Sequence, residues 1–209
     1  SYLYQTIVLS TSQLVLAGCS NTMSAKQAEP AASRPAYEKI AEHYLLNTSF
    51  TAQGQDERIR FVILHYTALN QADSLAMLTG PQVSTHYLVP ENPQWRGGEP
   101  VIMQLVPESK RAWHAGVSYY RGRSQCNDDA IGIELEGIDG DVFTDAQYES
   151  LLALLPVLRM QYPIQHVAGH EHIAPGRKKD PGKGFSWRFL QQSLGWPDEF
   201  FSACDSTSA

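Results

Sequence analysis

The sequence predicts an α/β fold, with a single domain built on a central mixed β-sheet that is flanked by helices. Short apolar runs rich in β-branched and aromatic residues alternate along the chain with segments whose apolar residues have helical spacing. The length of 209 residues suits one domain, and the 43% of apolar residues can form a sizeable core. Because predicted strands and helices interleave, the expected arrangement is a sheet with helices on its faces.

Three predicted strands and one predicted helix occupy the first half of this domain. The strands are the apolar runs at residues 58–66, 84–90 and 100–106. A helix is predicted over residues 67–78, because Gly80 and Pro81 follow it and would end it. Residues 91–99 are rich in turn-forming residues and join the second and third strands.

A fourth strand is predicted over residues 130–136. Isoleucine and leucine alternate there with glycine and glutamate, so Glu134 and Glu136 share one face of the strand. Either carboxylate could accept a proton, and the spacing does not choose between them. An exposed sheet face with two solvated glutamates would give the same pattern.

The last predicted elements are a long helix and a short strand. Residues 144–160 carry apolar residues at helical spacing, and Thr144 is a suitable residue to cap the helix. Pro156 predicts a kink or a break, because proline lacks the backbone N–H that a helix interior needs. Residues 165–169 are predicted as the final strand.

Three residues that can bind a metal stand close to these apolar runs: His65, His170 and Asp180. Tetrahedral zinc with three protein ligands keeps its fourth position for a water, whose pKa falls to about 7. Glu134 lies between the first ligand and the other two in the chain and could take the proton of that water. The pattern predicts a zinc hydrolase.

Spacing alone does not select this trio of ligands. Four other histidines could each bind a metal, namely His86, His114, His166 and His172. A lone histidine is more often a hydrogen-bonded structural residue, and this is the default interpretation for His43, His166 and His172.

The N-terminal segment differs from the rest of the chain. Residues 1–19 are mostly apolar and end in small residues before Cys19, as in a lipoprotein-type signal whose cysteine becomes lipidated. Residues 20–36 are predicted to be a flexible tether, residues 37–202 the folded domain and residues 203–209 a tail. We therefore expect a periplasmic protein that is anchored to the outer membrane through Cys19.

Charge and cysteine content exclude other classes of protein. The net charge of −6 gives no support for nucleic-acid binding. The three cysteines, Cys19, Cys126 and Cys204, have no C-x-x-C spacing, which argues against a disulfide framework and a structural zinc site. The sequence does not decide whether Cys126 and Cys204 form a disulfide bond.

Four motifs in order carry a specific resemblance. They are residues 110–118 with Trp113 and His114, residues 126–137 with Glu134, residues 144–148, and residues 169–182 with His170, Lys178 and Asp180. Together they resemble the bacterial zinc N-acetylmuramoyl-L-alanine amidases, and most of all the anhydromuramoyl-peptide amidases of cell-wall recycling. The similarity extends over residues 58–187 and implies the amidase and peptidoglycan-recognition fold.

This resemblance implies roles for individual residues. Zinc would be bound by His65, His170 and Asp180, the trio that the sequence alone also suggested. Glu134 would be the general base, and Lys178 would stabilise the oxyanion of the tetrahedral intermediate. The reaction would be hydrolysis of the amide bond between the lactyl group of N-acetylmuramic acid, in anhydro and ordinary forms, and L-alanine.

Five residues are predicted to contact the substrate. An aromatic face at Trp113 can pack on a sugar or a peptide stem, and the imidazole of His114 can hydrogen-bond a carbonyl. Arg111 and Arg177 suit a stem peptide that ends in carboxylates, and His86 completes the set.

The expected binding partners are muropeptides or cell wall, and the protein is expected to be a monomer. The recycling enzymes are cytoplasmic, so a cytoplasmic location is the alternative to the periplasm. Two other functions stay open, a peptidoglycan-binding module without catalysis and a zinc peptidase that cuts within the stem peptide.

Overall fold

The computed structural model describes residues 37–41, 44–47 and 49–203. These residues divide into two units at the boundary between Gln53 and Gly54. In the first unit, β1 (Tyr37–Ala41) and β2 (Tyr44–Asn47) pair as an antiparallel hairpin that the sequence pattern does not predict. The predicted signal and tether with Cys19, as well as His43 and Cys204, lie outside the described residues.

The second unit contains a five-stranded sheet with the strand order β11-β3-β10-β4-β7. In chain order the strands of this unit are β3 (Phe61–Tyr66), β4 (Tyr87–Val89), β5 (Trp95–Arg96), β6 (Glu99–Pro100), β7 (Met103–Gln104), β8 (Tyr119–Tyr120), β9 (Arg123–Ser124), β10 (Ala130–Leu135) and β11 (His166–Gly169). Strands β11, β3, β10 and β4 are parallel, and β7 is antiparallel to β4. The predicted mixed sheet is confirmed.

Four α-helices accompany these strands in the described part of the chain. They are α1 (Gln71–Leu78), α2 (Asp145–Gln161), α3 (His170–Ile173) and α4 (Trp187–Leu194). The side chains of Thr144 and Gln147 form a reciprocal capping box at the start of α2, as the sequence predicts for Thr144. The helix continues through Pro156, so the break that this residue suggested does not occur. None of the helices within the described ranges is long and apolar enough to cross a membrane.

Observed boundaries are tighter than the predicted ones. Helix α1 begins at Gln71, four residues after the predicted start at residue 67, because Asn70 accepts a hydrogen bond from the N–H of Asp73 and caps the helix there. The strands predicted at residues 84–90 and 100–106 shorten to β4 and β7, where the two backbones pair. Helices α3 and α4 were not predicted.

The sheet buries a different cluster on each face. Alternate residues of β3 and β10, such as Leu64 and Ile133, pack with leucines of α2, including Leu155. On the opposite face, Phe61 and Ile63 belong to a smaller apolar cluster. His65 continues the row of Phe61 and Ile63, because side chains alternate along a strand. The polar end of β3 therefore lies on the face turned away from α2.

Strand register then places the polar residues side by side. In the parallel pair of β3 and β10, His65 is directly opposite Glu134. In the pair of β3 and β11, Leu64 is opposite Gly169, so His170 follows at the end of the neighbouring strand. One row across the carboxyl ends of three strands therefore carries two histidines and a glutamate.

Gly132 makes room for an imidazole against this sheet. A Cβ atom at Gly132 would lie 2.5 to 2.8 Å from ring atoms of His114. The backbone of Gly132 also binds His86, whose Nδ1 accepts from its N–H at 3.0 Å and whose own N–H donates to its carbonyl at 3.2 Å. The His114 ring can therefore pack against β10 only because residue 132 has no side chain.

Replacing this glycine tests the packing directly. Gly132→Ala is expected to lower the free energy of unfolding by about 1–3 kcal/mol, because the added methyl group overpacks the contact with His114. Urea denaturation followed by circular dichroism measures the change. Gly54→Ala is the matched control, since its Cβ would meet nothing within 4 Å. Equal stability of the two variants would show that the His114 ring does not depend on Gly132.

Candidate active site

Three buried side chains converge on one point beside the sheet. The Nδ1 atoms of His65 and His170 lie 2.9 Å apart, and Oδ2 of Asp180 lies 3.1 Å from the first and 3.0 Å from the second. Ligand atoms on a tetrahedral zinc ion with bonds of 2.0–2.1 Å would be about 3.3 Å apart. Among the described residues this trio is the group with the composition and spacing of a metal site.

The contact made by the second nitrogen of His170 determines which of its nitrogens faces the cluster. Its Nε2 lies 2.9 Å from the carbonyl oxygen of Ala115, which can only accept a hydrogen bond. Nε2 of the neutral ring therefore carries the proton, and Nδ1 presents its lone pair to His65 and Asp180. This is the arrangement in which a backbone carbonyl orients a metal-binding histidine.

His65 is held in a similar way by another imidazole. Its Nε2 lies 3.0 Å from Nδ1 of His114, and the two rings meet edge to face. If Nε2 donates to His114, the Nδ1 lone pair of His65 is free to bind a cation. His114 lines the cleft, and it also supports His65 from the side away from the cluster.

Burial and hydrogen bonding determine the charges of the cluster. Burial lowers the pKa of His65 to about 4, and the hydrogen bond with Asp180 only partly opposes this effect. Burial alone would raise the pKa of Asp180, but its close contacts with the imidazoles of His170 and His65 hold it well below its usual range. The favoured state is a neutral His65 imidazole next to an ionised carboxylate, which suits a cation.

Glu134 lies next to His65 in the paired strands. Its carboxylate is buried, and no group in the described part of the structure hydrogen-bonds its Oε2 atom. Burial raises the pKa of Glu134 well above its usual value; the charge of Asp180 adds to the rise and that of Lys178 opposes it. Glu136 differs, because it is half-buried and its Oε2 accepts from the N–H of Glu91 at 2.9 Å.

These groups line a cleft of about 460 Å³. Its wall includes apolar side chains, among them Met77, Val83 and Trp113, of which Trp113 is about half exposed. It also includes basic residues, Lys178 and Lys179, which follow α3. The cleft can therefore receive a molecule that has both an apolar or ring-like part and an anionic part.

Arg177 lines the cleft, and its guanidinium is engaged with the backbone. It donates to the carbonyl oxygens of Ala115 at 2.7 Å and Val117 at 2.5 Å. It also packs against Gly116, whose backbone has a φ of 59°. These bonds fix the loop that provides the acceptor for His170.

Two predicted substrate contacts lie elsewhere. His86 is fully buried and is absent from the cleft lining; its Nδ1 accepts from Gly132, and its Nε2 donates to the carbonyl of Lys110 at 3.0 Å. Burial lowers its pKa, which favours the neutral ring. Arg111 pairs with Asp128 on the surface and is also not part of the lining. His86 thus binds backbone groups, and Arg111 forms a surface ion pair.

His166 and His172 fit the default structural interpretation. Nδ1 of His166 lies 2.8 Å from the carbonyl oxygen of Glu199. Nδ1 of His172 accepts from the N–H of Gly169 at 2.8 Å, and its ring contacts Trp187. Neither residue belongs to the cluster of His65, His170 and Asp180.

Sequence reasoning missed several residues of the cleft. Met77 lies in α1 and Val83 lies after it, and both line the cleft. Their exposed apolar side chains next to a turn were the sequence signal that could have indicated a binding surface. Ala115 was missed because its contribution is a backbone carbonyl, which leaves no trace in the residue type.

Comparison with known proteins assigns the family. The model of the Amidase_2 family, described as N-acetylmuramoyl-L-alanine amidase, matches residues 55–183. The chain belongs to the N-acetylmuramoyl-L-alanine amidase family. The matched range contains the three cluster residues, Glu134 and Lys178, and covers most of the second unit.

Individual amidases are similar over part of their length. N-acetylmuramoyl-L-alanine amidase AmiD of Escherichia coli (strain K12) is 45% identical over 170 residues, which are 75% of this chain and 62% of AmiD. The 1,6-anhydro-N-acetylmuramyl-L-alanine amidase AmpD of Enterobacter cloacae is 55% identical over 94 residues, or 44% of this chain and 49% of AmpD. The chain thus spans about half to three-fifths of these relatives.

Solved amidase structures share the fold. AmiD from E. coli, in complex with the substrate anhydro-N-acetylmuramic acid-L-Ala-D-gamma-Glu-L-Lys, superposes with a TM-score of 0.70 and 42% identity over 75% of this chain and 65% of AmiD. AMPDH3 from Pseudomonas aeruginosa, in complex with anhydromuramic pentapeptide, has a TM-score of 0.63 and 36% identity over 70% of this chain and 64% of its own. The amidase fold predicted from the sequence motifs is confirmed.

The low pKa of His65 predicts how pH affects the metal-free protein. The unfolded chain takes up a proton on this residue below its ordinary pKa of 6.5, whereas the folded chain resists protonation down to about pH 4. Stability should therefore decrease as the pH falls from about 6.5 to about 4, because the unfolded state binds more protons. Asp180, whose folded pKa is depressed, adds a further loss below about pH 3.9.

Urea denaturation in the presence of a chelator, repeated between pH 7 and pH 4.5, measures this dependence. His65→Gln removes the contribution of this residue and should make the pH dependence less steep than in the wild type. Identical slopes for the two proteins would contradict the assignment of the shift to His65.

Proposed function

We propose that this chain is a zinc-dependent N-acetylmuramoyl-L-alanine amidase. It hydrolyses the amide bond between the lactyl group of N-acetylmuramic acid, in anhydro and ordinary forms, and L-alanine of the stem peptide. The observation that carries the proposal is the cluster of His65, His170 and Asp180 in one cleft with the buried carboxylate of Glu134, whose Oε2 atom has no hydrogen-bond partner among the described residues. A module that only binds peptidoglycan would need neither the cluster nor the carboxylate.

Zinc fits this donor set. Two imidazoles and one carboxylate are common zinc ligands, and the spacing of 2.9 to 3.1 Å is close to that of a tetrahedral site. His65 and His170 each have a second contact that orients the ring, as metal-binding histidines do. When bound, zinc supplies a Lewis acid that makes water easier to deprotonate and a carbonyl carbon easier to attack.

Glu134 provides the proton transfers in this proposal. Its carboxylate accepts a proton from the attacking water and later donates it to the departing amine of L-alanine. A carboxyl group with an ordinary pKa would hold this proton too weakly near neutral pH, and burial raises the pKa of Glu134. No described group hydrogen-bonds its Oε2 atom, so no neighbouring donor stabilises the charged form through that oxygen.

Lys178 supplies positive charge near the reacting carbonyl. The tetrahedral intermediate concentrates negative charge on the former carbonyl oxygen, and an ammonium group stabilises this charge where water is excluded. Lys178 lines the cleft, and its charge lowers the pKa of Glu134, which places the two groups in one electrostatic environment.

The chemistry of the cleft wall suits a muropeptide. The half-exposed face of Trp113 can pack against a sugar ring or the peptide, and Lys179 can attract the carboxylates of the stem. The solved complexes of AmiD and AMPDH3 contain anhydromuramoyl peptides, and the same ligand class is proposed here.

The proposed location is based on sequence alone. The apolar residues 1–19 ending in Cys19 support a lipidated cysteine, a periplasmic position at the outer membrane and a domain over residues 37–202. The alternative is the cytoplasm. Metabolic labelling with a palmitate analogue, compared between the full chain and Cys19→Ala, distinguishes them, because only a lipidated Cys19 would incorporate label.

Product analysis tests the reaction. The full chain is incubated with muramoyl-tripeptide in anhydro and ordinary forms, with and without a chelator, and the products are identified by mass spectrometry. We expect free tripeptide and intact sugar, no products after chelation, and recovery with zinc. His170→Ala should lose zinc and activity together. A shortened stem peptide would instead indicate a peptidase, and unchanged but bound substrate would indicate a binding module.

Glu134, within β10, and Glu136, directly after it, provide a matched pair of substitutions. Glu134→Gln should reduce kcat by about 10²- to 10⁴-fold, because the amide cannot accept the proton of the attacking water. Zinc content, measured by mass spectrometry of the metal, should stay at the wild-type level. Glu136→Gln should retain activity, since that side chain binds the backbone of Glu91. A dead Glu136→Gln with an active Glu134→Gln would reverse the assignment.

A further inference from the structure

A buried asparagine touches the two backbone positions that support the histidine cluster. Asn127 belongs to a short 3-10 turn, Cys126–Asp128, and only 6% of its surface is exposed. Its Oδ1 atom accepts from the N–H of His114 at 3.0 Å and from the N–H of Ala115 at 2.7 Å. One side-chain oxygen therefore holds two successive peptide groups.

These peptide groups belong to the residues that contact the two histidines. Nδ1 of His114 lies 3.0 Å from Nε2 of His65, and the carbonyl oxygen of Ala115 lies 2.9 Å from Nε2 of His170. A displacement of residues 114 and 115 would move both contacts at once. The ring orientations of His65 and His170 thus depend on the same short stretch of backbone.

Turn formation does not account for the asparagine side chain. The turn is closed by backbone bonds, from the N–H of Asp128 to the carbonyl of Gln125 at 2.8 Å and from the N–H of Asp129 to the carbonyl of Cys126 at 3.2 Å. The Oδ1 atom of Asn127 is directed to another segment of the chain. Its contribution is therefore to the loop at residues 114–115.

The turn and the loop are also joined at a second point. Ser118 donates through its hydroxyl to the carbonyl of Gly116 at 3.0 Å, and the same hydroxyl accepts from the N–H of Cys126 at 3.0 Å. The N–H of Gln125 donates to the carbonyl of Ser118 at 3.0 Å. The turn that carries Asn127 is thereby fixed relative to the loop, so its Oδ1 atom can act as a rigid acceptor.

We infer that Asn127 is a positioning residue for the metal centre: by fixing the peptide groups of His114 and Ala115, it holds both histidines with Nδ1 facing Asp180. The inference rests on the proposed metal site. Residues that orient metal ligands in this way commonly change metal affinity by about 10- to 100-fold when they are replaced. The energetic reason is that a ligand free to rotate must be ordered when the metal binds.

The test compares two substitutions at this position. Asn127→Leu has a similar volume but no acceptor, and zinc affinity measured by competition with a chromogenic chelator should fall by about 10- to 100-fold. Asn127→Asp keeps an acceptor oxygen and should bind zinc nearly as tightly as the wild type. Asp128→Asn is the matched control, because its side chain pairs with Arg111 on the surface of the same turn.

A second readout separates positioning from general stability. In the metal-free protein, NMR spectra of the imidazole nitrogens should show His170 with its proton on Nε2, as its bond to Ala115 requires. Asn127→Leu should mix the two tautomers, while Asn127→Asp should preserve the single form. A role in stability alone would lower the melting temperature and leave the tautomer and the zinc affinity unchanged.

The outcomes distinguish this inference from the proposed function. Wild-type affinity for zinc in a folded Asn127→Leu protein would overturn the positioning role and leave the amidase proposal intact. Failure of the wild type to bind zinc would overturn the metal centre itself. If Asn127→Leu does not fold, Asn127→Ser takes its place, since its shorter hydroxyl cannot reach both peptide groups, and an unchanged zinc affinity there would equally overturn the inference.

Discussion

The candidate site depends on the parallel pairing of β3 with β10 and β11. Paired residues of a parallel sheet project to the same side, so the register that joins His65 to Glu134 puts the carboxylate beside the first imidazole. The alternate residues, Leu64 and Ile133, are fully buried against α2. A slip of one residue would turn these leucine and isoleucine side chains away from the core. Hydrophobic burial on one face of the sheet thus fixes the chemistry on the other.

The two buried carboxylates of the site have pKa values that are shifted in opposite directions. Asp180 lies in close contact with two imidazoles, which stabilise its charge and outweigh the effect of burial on its pKa. Glu134 is buried without such contacts to stabilise its charge, and its pKa rises. The same environment therefore provides one permanently charged group, suited to a cation, and one group able to gain and release a proton. The two carboxylates differ in role because of the groups that contact them, since both are buried.

Much of the fold and part of the site could be predicted from the sequence. The strands that carry His65 and Glu134 have strong apolar patterns, and such patterns directly reflect burial. Helix α3 could not be predicted, because its four residues are too few to show a period. His86 could not be told from His65 by residue type, since only the surrounding backbone decides that its nitrogens are occupied. The acceptor for His170 is a carbonyl, which any residue could supply.

The turn that carries Asn127 also contains a natural chemical probe. The thiol of Cys126 is fully buried, and burial raises its pKa, so it is both shielded and protonated in the native state. An alkylating reagent can reach it only when this part of the chain opens. The rate of alkylation at Cys126, measured by peptide mass mapping, would thus report how often the turn that carries Asn127 opens locally in the folded protein.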